Sequence, residues 1–284
     1  MWKTSSMIVA ALTLACSEGS TGPDQAACVR GALAQGAIVT GELSSADCTM
    51  TRAGVSLPYE VYTVRLSPGE RFLITLHSNA AWTPILELRD TTPNHSVVAA
   101  GWSDVFVENR YSQLMFVAPN EFPGTTKTYE LWVQGDTSTA VGRYTLSSQL
   151  CGGSSEEIWG TRTVVAHGVL SASDCVLHDR HMLPDSTYAH LFVLYLGRGE
   201  QKTITVTATS AGLGPSLLLY GPGFARGGVT HRASALGGTS TTSLTIEAAA
   251  SIDAAGDYIL AVGGNAFGQT GDYTITISEG TPTP

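Results

Sequence analysis

A chain of 284 residues with 43% hydrophobic and only 14% charged residues is long enough for one or two globular units and too apolar for a disordered one. Its formal charge of −9 at pH 7 argues against nucleic acid and anionic membrane faces as partners. No apolar run reaches the roughly 20 residues of a spanning helix, which excludes a polytopic membrane protein.

The first predicted element is an export leader over residues 1–15. MWKTSSMIVAALTLAC places Lys3 before an uncharged apolar run from Met7 to Ala15, with Cys16 directly after the small Ala15. The ending L-T-L-A-C resembles the lipobox of bacterial lipoproteins, although Thr13 stands where that family prefers Leu. The resemblance implies that Cys16 is acylated, becomes the first residue and anchors the chain in a membrane. Ser17, in place of the Asp that tends to retain lipoproteins at the inner membrane, implies an outer-membrane destination. An ordinary cleaved leader and a secreted product form the alternative. Residues 16–27 then read as a flexible tether, since SEGSTGPDQAA is small, polar and turn-rich.

From Cys28 onward the chain is written twice. GELSSADC (Gly41 to Cys48) returns as GVLSASDC (Gly168 to Cys175), and VYTVRLSPGE (Val61 to Glu70) as LFVLYLGRGE (Leu191 to Glu200). TPILELRD, with Pro84 and Leu86, answers GPSLLLYG, with Pro215 and Leu217. YELWVQG (Tyr129 to Gly135) answers YILAVGG (Tyr258 to Gly264), and GRYTLS (Gly142 to Ser147) answers GDYTIT (Gly271 to Thr276). Two units, residues 28–150 and 151–279, follow from this duplication, with 280–284 as a disordered tail.

Every matched block alternates with period two: Tyr62, Val64 and Leu66 against Val61, Thr63 and Arg65, for example. Glycines and prolines sit mainly between these runs, and Ala248 to Ala255 reads as a loop or single helical turn. The expectation is an all-β protein of two tandem sandwiches, each with about seven to nine short strands.

Five cysteines are odd for an exported chain, but assigning Cys16 to the lipid leaves Cys28, Cys48, Cys151 and Cys175 for an oxidising compartment. Equivalent positions in two copies should bond equivalently, which selects Cys28–Cys48 and Cys151–Cys175. Each bond closes a loop of about 20 residues, worth roughly 3 kcal/mol. On this reading the phrase L-S-x-x-D-C is a structural staple, with Asp47 and Asp174 as turn residues.

The strand order also carries a resemblance. A Y-x-V-x-L strand, a P-G-E or R-G-E turn, an ITL strand, a P-x-L-x-L strand, then Y-x-L-x-V-x-G and a closing G-x-Y-T-L/I are similar to the bacterial pre-peptidase C-terminal domain, a jelly-roll-like sandwich. The similarity spans about 39–148 and 166–278. It implies an accessory module of exported proteins that assists secretion or binding without being catalytic. The family's acidic D-x-D-L-x-L segment is replaced here by AWTPILEL and LGPSLLLY.

Catalytic motifs are absent: there is no H-E-x-x-H and no G-x-S-x-G, no Ser stands out as a triad member, and no cofactor is expected. The richest polar segment, HDRHMLPDSTYAH from His178 to His190, supplies the alternative reading of a metal-binding or hydrolase-associated protein. Trp132 falls on the strand face opposite Tyr129, Leu131 and Val133. It is therefore expected to project outward, joined by Trp82 and Trp102 near strand ends, as a candidate ligand-stacking patch. The functional expectation is a non-catalytic cell-envelope lipoprotein, a binding or structural module with a protein or carbohydrate partner.

Overall fold

The computed structural model describes residues 28–79, 82–103, 111–119, 124–151, 164–178, 186–221, 231–236, 240–247 and 256–279. The leader, Cys16, the tether, the tail and the segment from Ala248 to Ala255 lie outside them.

The first set of strands is β1 (Val29–Ala32), β2 (Ile38–Leu43), β3 (Cys48–Arg52), β4 (Val55–Leu66), β5 (Arg71–Ser78) and β6 (Pro84–Asp90). It continues with β7 (Val97–Ala100), β8 (Trp102–Ser103), β9 (Tyr111–Val117), β10 (Lys127–Gly135) and β11 (Gly142–Leu150). The second set is β12 (Val164–Leu170), β13 (Cys175–His178), β14 (Ser186–Leu196), β15 (Gln201–Ala208) and β16 (Pro215–Tyr220). It ends with β17 (His231–Leu236), β18 (Thr241–Glu247), β19 (Gly256–Gly264) and β20 (Gly271–Glu279). The protein is all-β, and among the described residues there is no helix long and apolar enough to cross a membrane.

Two sheets form from each set. In the first, β1-β4-β10-β6-β7, with β3 also on β4, faces β2-β11-β5-β9-β8. In the second, β13-β14-β19-β16-β17 faces β12-β20-β15-β18. The orders superpose strand for strand once β1 and β8, which have no counterpart among the described residues of the second set, are removed. β1 runs parallel to β4; the other pairings are antiparallel.

The alternation places the cores. Tyr62, Val64 and Leu66 of β4 meet Phe72, Ile74 and Leu76 of β5 in the first. Phe192, Leu194 and Leu196 meet Ile204 and Val206 in the second. Pro84 and Pro215 each begin a strand paired with β10 or β19, at Gly135 and Gly264, where the missing amide costs the ladder least.

A third apolar cluster joins the two sandwiches. Leu73 and Met115, on the outer face of β5 and β9, pack with Leu177, Leu191, Leu218 and Ile259 of the second sandwich. Two side chains of the first sandwich finish the seam: Gln149 accepts the Val176 amide at 2.9 Å and Gln113 accepts that of His178 at 3.0 Å.

Candidate functional site

Both disulfides form in the expected pairing, Cys28–Cys48 with Cα atoms 5.7 Å apart and Cys151–Cys175 with 4.8 Å. The turn before each later cysteine is closed the same way. The Asp47 carboxylate accepts the Ser44 amide at 2.6 Å, and Asp174 accepts that of Ser171 at 2.6 Å. The aspartates are thus turn residues, as the repeat implied, but each also enters a polar network that the sequence did not announce.

In the first sandwich the Arg30 guanidinium bridges Asp47, at 2.5 Å, and Glu60, at 2.8 Å. The far oxygen of Glu60 accepts the Tyr144 hydroxyl, which lies 2.7 Å from that of Tyr62. Burial raises the Glu60 carboxyl above its ordinary value, against the lowering pull of Tyr144 and Arg30. A small pocket of about 300 Å³ opens beside this chain of groups, lined by Cys28, Arg30, Asp47, Cys48, Tyr59 and Glu60.

The second sandwich replaces Glu60 by His190. Its Nε2 lies 3.0 Å from Asp174 and its Nδ1 2.7 Å from the Tyr273 hydroxyl. A carboxylate only accepts, so Nε2 carries its proton toward Asp174. Burial works to raise the Asp174 carboxyl, yet the bonds from His190 and Ser171 hold it below the usual value. An open depression of about 450 Å³ adjoins the network, bounded by His167, Val169, His190, Thr209 and Asp272.

An Asp–His–hydroxyl chain has the connectivity of a catalytic triad. Here the terminal hydroxyl belongs to Tyr273, which is 1% exposed and whose pKa burial drives far upward, so it offers no nucleophile at neutral pH. Geometry gives the network a structural task instead. Tyr273 stands directly across the ladder from Gly168, and Tyr144 from Gly41. A Cβ built on either glycine would collide with the ring of its tyrosine. The G of G-x-L-S-x-x-D-C and the Y of the closing G-x-Y-T are therefore one contact written at two ends of each copy.

The tryptophans depart from expectation. Trp132 does lie on the face opposite Leu131 and Val133, but that face is covered and the residue is only 6% exposed. It stacks on Tyr59 with centroids 4.3 Å apart, holds the Arg89 guanidinium 4.1 Å above its ring, and packs with Cys28, Cys48 and Met50. Trp82, also 6% exposed, belongs to the first core. Trp102 pairs with Gln113 through β8, and its side chain lies outside the described residues. Neither Trp132 nor Trp82 offers a ring to a ligand.

The histidine-rich segment is split. His190 is absorbed by Asp174 and Tyr273, whereas His178 is exposed and its ring stands 5.9 Å from that of Tyr111 across the seam. Residues 179–185, which include His181 and Asp185, lie outside the described residues. Among the described residues no group of three or more His, Cys, Asp and Glu converges as metal ligands would.

One further surface went unremarked in the sequence. On the outer face of the sheet formed by β12, β20, β15 and β18, register brings hydroxyls into ranks. Thr274, Thr207 and Thr241 form one rank; Thr276, Thr205 and Ser243 form the next. Ser278, Thr203 and the register position of Thr245 form a third. Neighbouring hydroxyls bond within the ranks, Thr205 to Ser243 at 2.7 Å, and His167 of β12 reaches Thr274 at 3.0 Å. The signal was present as T-x-T-x-T at 203–207 and T-x-T-x-S at 274–278.

No protein-family model matches the chain, and no curated protein does. Among solved structures, it is similar to the pre-peptidase C-terminal domain of a collagenase from Bacillus anthracis, at 16% identity and a TM-score of 0.30. That match covers 43% of this chain and 92% of the domain. A secreted protein of Parabacteroides distasonis is similar at 12% identity and TM-score 0.23, over 86% of this chain and 89% of that one. The N-terminal CBM22-1-CBM22-2 tandem domain of Xyn10C from Paenibacillus barcinonensis is similar at 10% identity and TM-score 0.22, over 92% and 95%.

Proposed function

We propose that the chain is a non-catalytic binding or accessory module of a bacterial cell envelope, held by a lipid on Cys16 and carried clear of the membrane by the tether at 16–27. The observation that carries the non-catalytic part is the fate of the ionisable groups the repeats bring together. Asp47, Glu60, Asp174 and His190 are each bonded inside their own sandwich, where they hold the turn, the sheet edge and a buried tyrosine. Groups spent on structure in this way leave binding to the outer sheet faces. Two disulfides favour an oxidising, extracytoplasmic compartment for the folded part.

Fractionation of cells expressing the full chain tests the anchor. The native chain should sediment with the outer membrane, and Cys16→Ser should move it to the soluble fraction with both disulfides intact. A native chain found soluble in the periplasm overturns the lipid reading. For the role, His190→Gln should leave binding of any partner intact while lowering the melting temperature; loss of a chemical activity in that variant would overturn the non-catalytic reading.

A further inference from the structure

The outer face of the β12-β20-β15-β18 sheet has an internal control in the same molecule. Its counterpart in the first sandwich, the outer face of β5 and β9, docks protein: Leu73 and Met115 are buried there against the second sandwich, with Val117 packed beside them. The pairings Leu73↔Met115 and Thr203↔Thr245 align the two faces, so Leu73 corresponds to Thr203, Met115 to Thr245 and Val117 to Glu247. Every apolar residue that makes the first face adhere to protein has been exchanged. A protein partner needs a desolvated apolar centre, whereas the exposed apolar side chains of this face among the described residues, Val165 and Val169, stand on the edge strand β12, and its centre on β20 and β15 carries hydroxyls.

What replaces it is not an ordinary charged surface. The three ranks of the grid hold only Thr and Ser positions, and acids stand at its margins, Asp272 and the register position of Glu247. An acidic polymer finds no cation in the grid, and a basic one finds no anion.

Thr is stiff at χ1, so its hydroxyls are held in place before any ligand arrives. Strand geometry sets them at about 4.8 Å between strands and about 6.7 Å along each strand. Each hydroxyl both donates and accepts. The partner that matches is flat, uncharged, and itself covered with groups that donate and accept at short intervals.

We infer that this face of the second sandwich binds a neutral polysaccharide through ranked Thr and Ser hydroxyls, with no stacking tryptophan. The inference rests on the binding-module reading and supplies its ligand class and its site.

The test uses the full-length exported chain in detergent, mixed with microcrystalline cellulose, with curdlan and with the acidic polymer alginate. Thr205→Val/Thr276→Val removes two central hydroxyls while keeping their shape, and Thr205→Ser/Thr276→Ser restores them. The expected result is retention on at least one neutral polymer and none on alginate, with the valine variant at least tenfold weaker and the serine variant close to the parent. Circular dichroism should be the same for all three. Retention that survives the valine variant overturns this face but leaves the module reading standing. Retention on alginate alone overturns the neutral-ligand assignment. A parent chain that binds no polymer and is instead captured by cross-linking to a protein overturns the polysaccharide and keeps the module; one that binds neither overturns both.

Discussion

The two sandwiches cover the outer face of their larger sheet with different material. In the first, Tyr59, Val61 and Trp132 lie beneath a lid made locally, the Cys28–Cys48 bond and Met50 of the β3 strand. In the second, Leu191, Leu218, Ile259 and Ala261 lie beneath Leu73 and Met115 of the neighbouring sandwich, with Cys151–Cys175 at the edge. Trp132 and Ala261 occupy equivalent positions, and the exchange follows from the cover. A bulky ring fills the space under a thin hairpin, whereas a small side chain leaves the sheet flat enough for another sheet to lie on it. The opposite faces diverge in the complementary sense, apolar in the first sandwich, where the second docks, and hydroxylated in the second.

The sharpest way to break this comparison is to place one charge at equivalent positions. Leu73→Asp puts a carboxylate into the sealed seam, and should cost at least the roughly 2–5 kcal/mol of emptying a buried leucine. Thr203→Asp, on the free face, should change stability by about 0.5 kcal/mol or less. Urea midpoints of the two variants decide it, and equal losses would mean that the two faces are not different environments.

Next in size are the staples. Replacing Cys28 and Cys48 by Ala should cost roughly 3 kcal/mol, mainly through the freed unfolded chain. The same change at Cys151 and Cys175 should cost more, because both cysteines also belong to the cluster between the sandwiches. Its distinguishing sign is faster limited proteolysis between residues 151 and 164, which the Cys28/Cys48 variant should not show.

A smaller effect tests the contact that the copies share. Gly168→Ala forces the Tyr273 ring off its strand and should cost about 1–3 kcal/mol, the usual range for overpacking. Pairing it with Tyr273→Phe should not rescue it, since the ring causes the clash. Pairing it with Tyr273→Leu should recover part of the loss.

What could be read from the letters was what is local. Strand alternation, the duplication and the disulfide pairing each depend on short spacings or on comparing one copy with the other, and all appear in the fold. Trp132 shows the limit. Its face was assigned correctly from period two, but its exposure depends on Met50, the Cys28–Cys48 bond and Arg89, contributed by segments 40 or more residues away in the chain. His190 was visible as one histidine among three, whereas its pairing with Tyr273 spans 83 residues. The hydroxyl ranks needed the register of three strands, which no single T-x-T run contains.

Acid should separate the copies most finely, because the two networks titrate with opposite sign. Asp174 is held below its ordinary value by His190 and Ser171, so its contribution is complete above the unfolded carboxylate value near pH 4 and is lost as pH falls through the folded one. Glu60 is raised by burial, so the first sandwich favours its protonated form; that contribution is present below the unfolded value and is lost as pH rises through the folded one. Lowering pH from neutral should therefore weaken the second sandwich while relieving the first. Urea midpoints followed across pH 3 to 7, with amide exchange reporting β4 and β10 for the first sandwich and β14 and β20 for the second, should show the divergence. Asp174→Asn should flatten the acid loss in β14 and β20 alone, and Glu60→Gln should flatten the opposite slope in the first sandwich. A common slope in both copies, unchanged by either variant, would mean that the paired networks do not set the pH response.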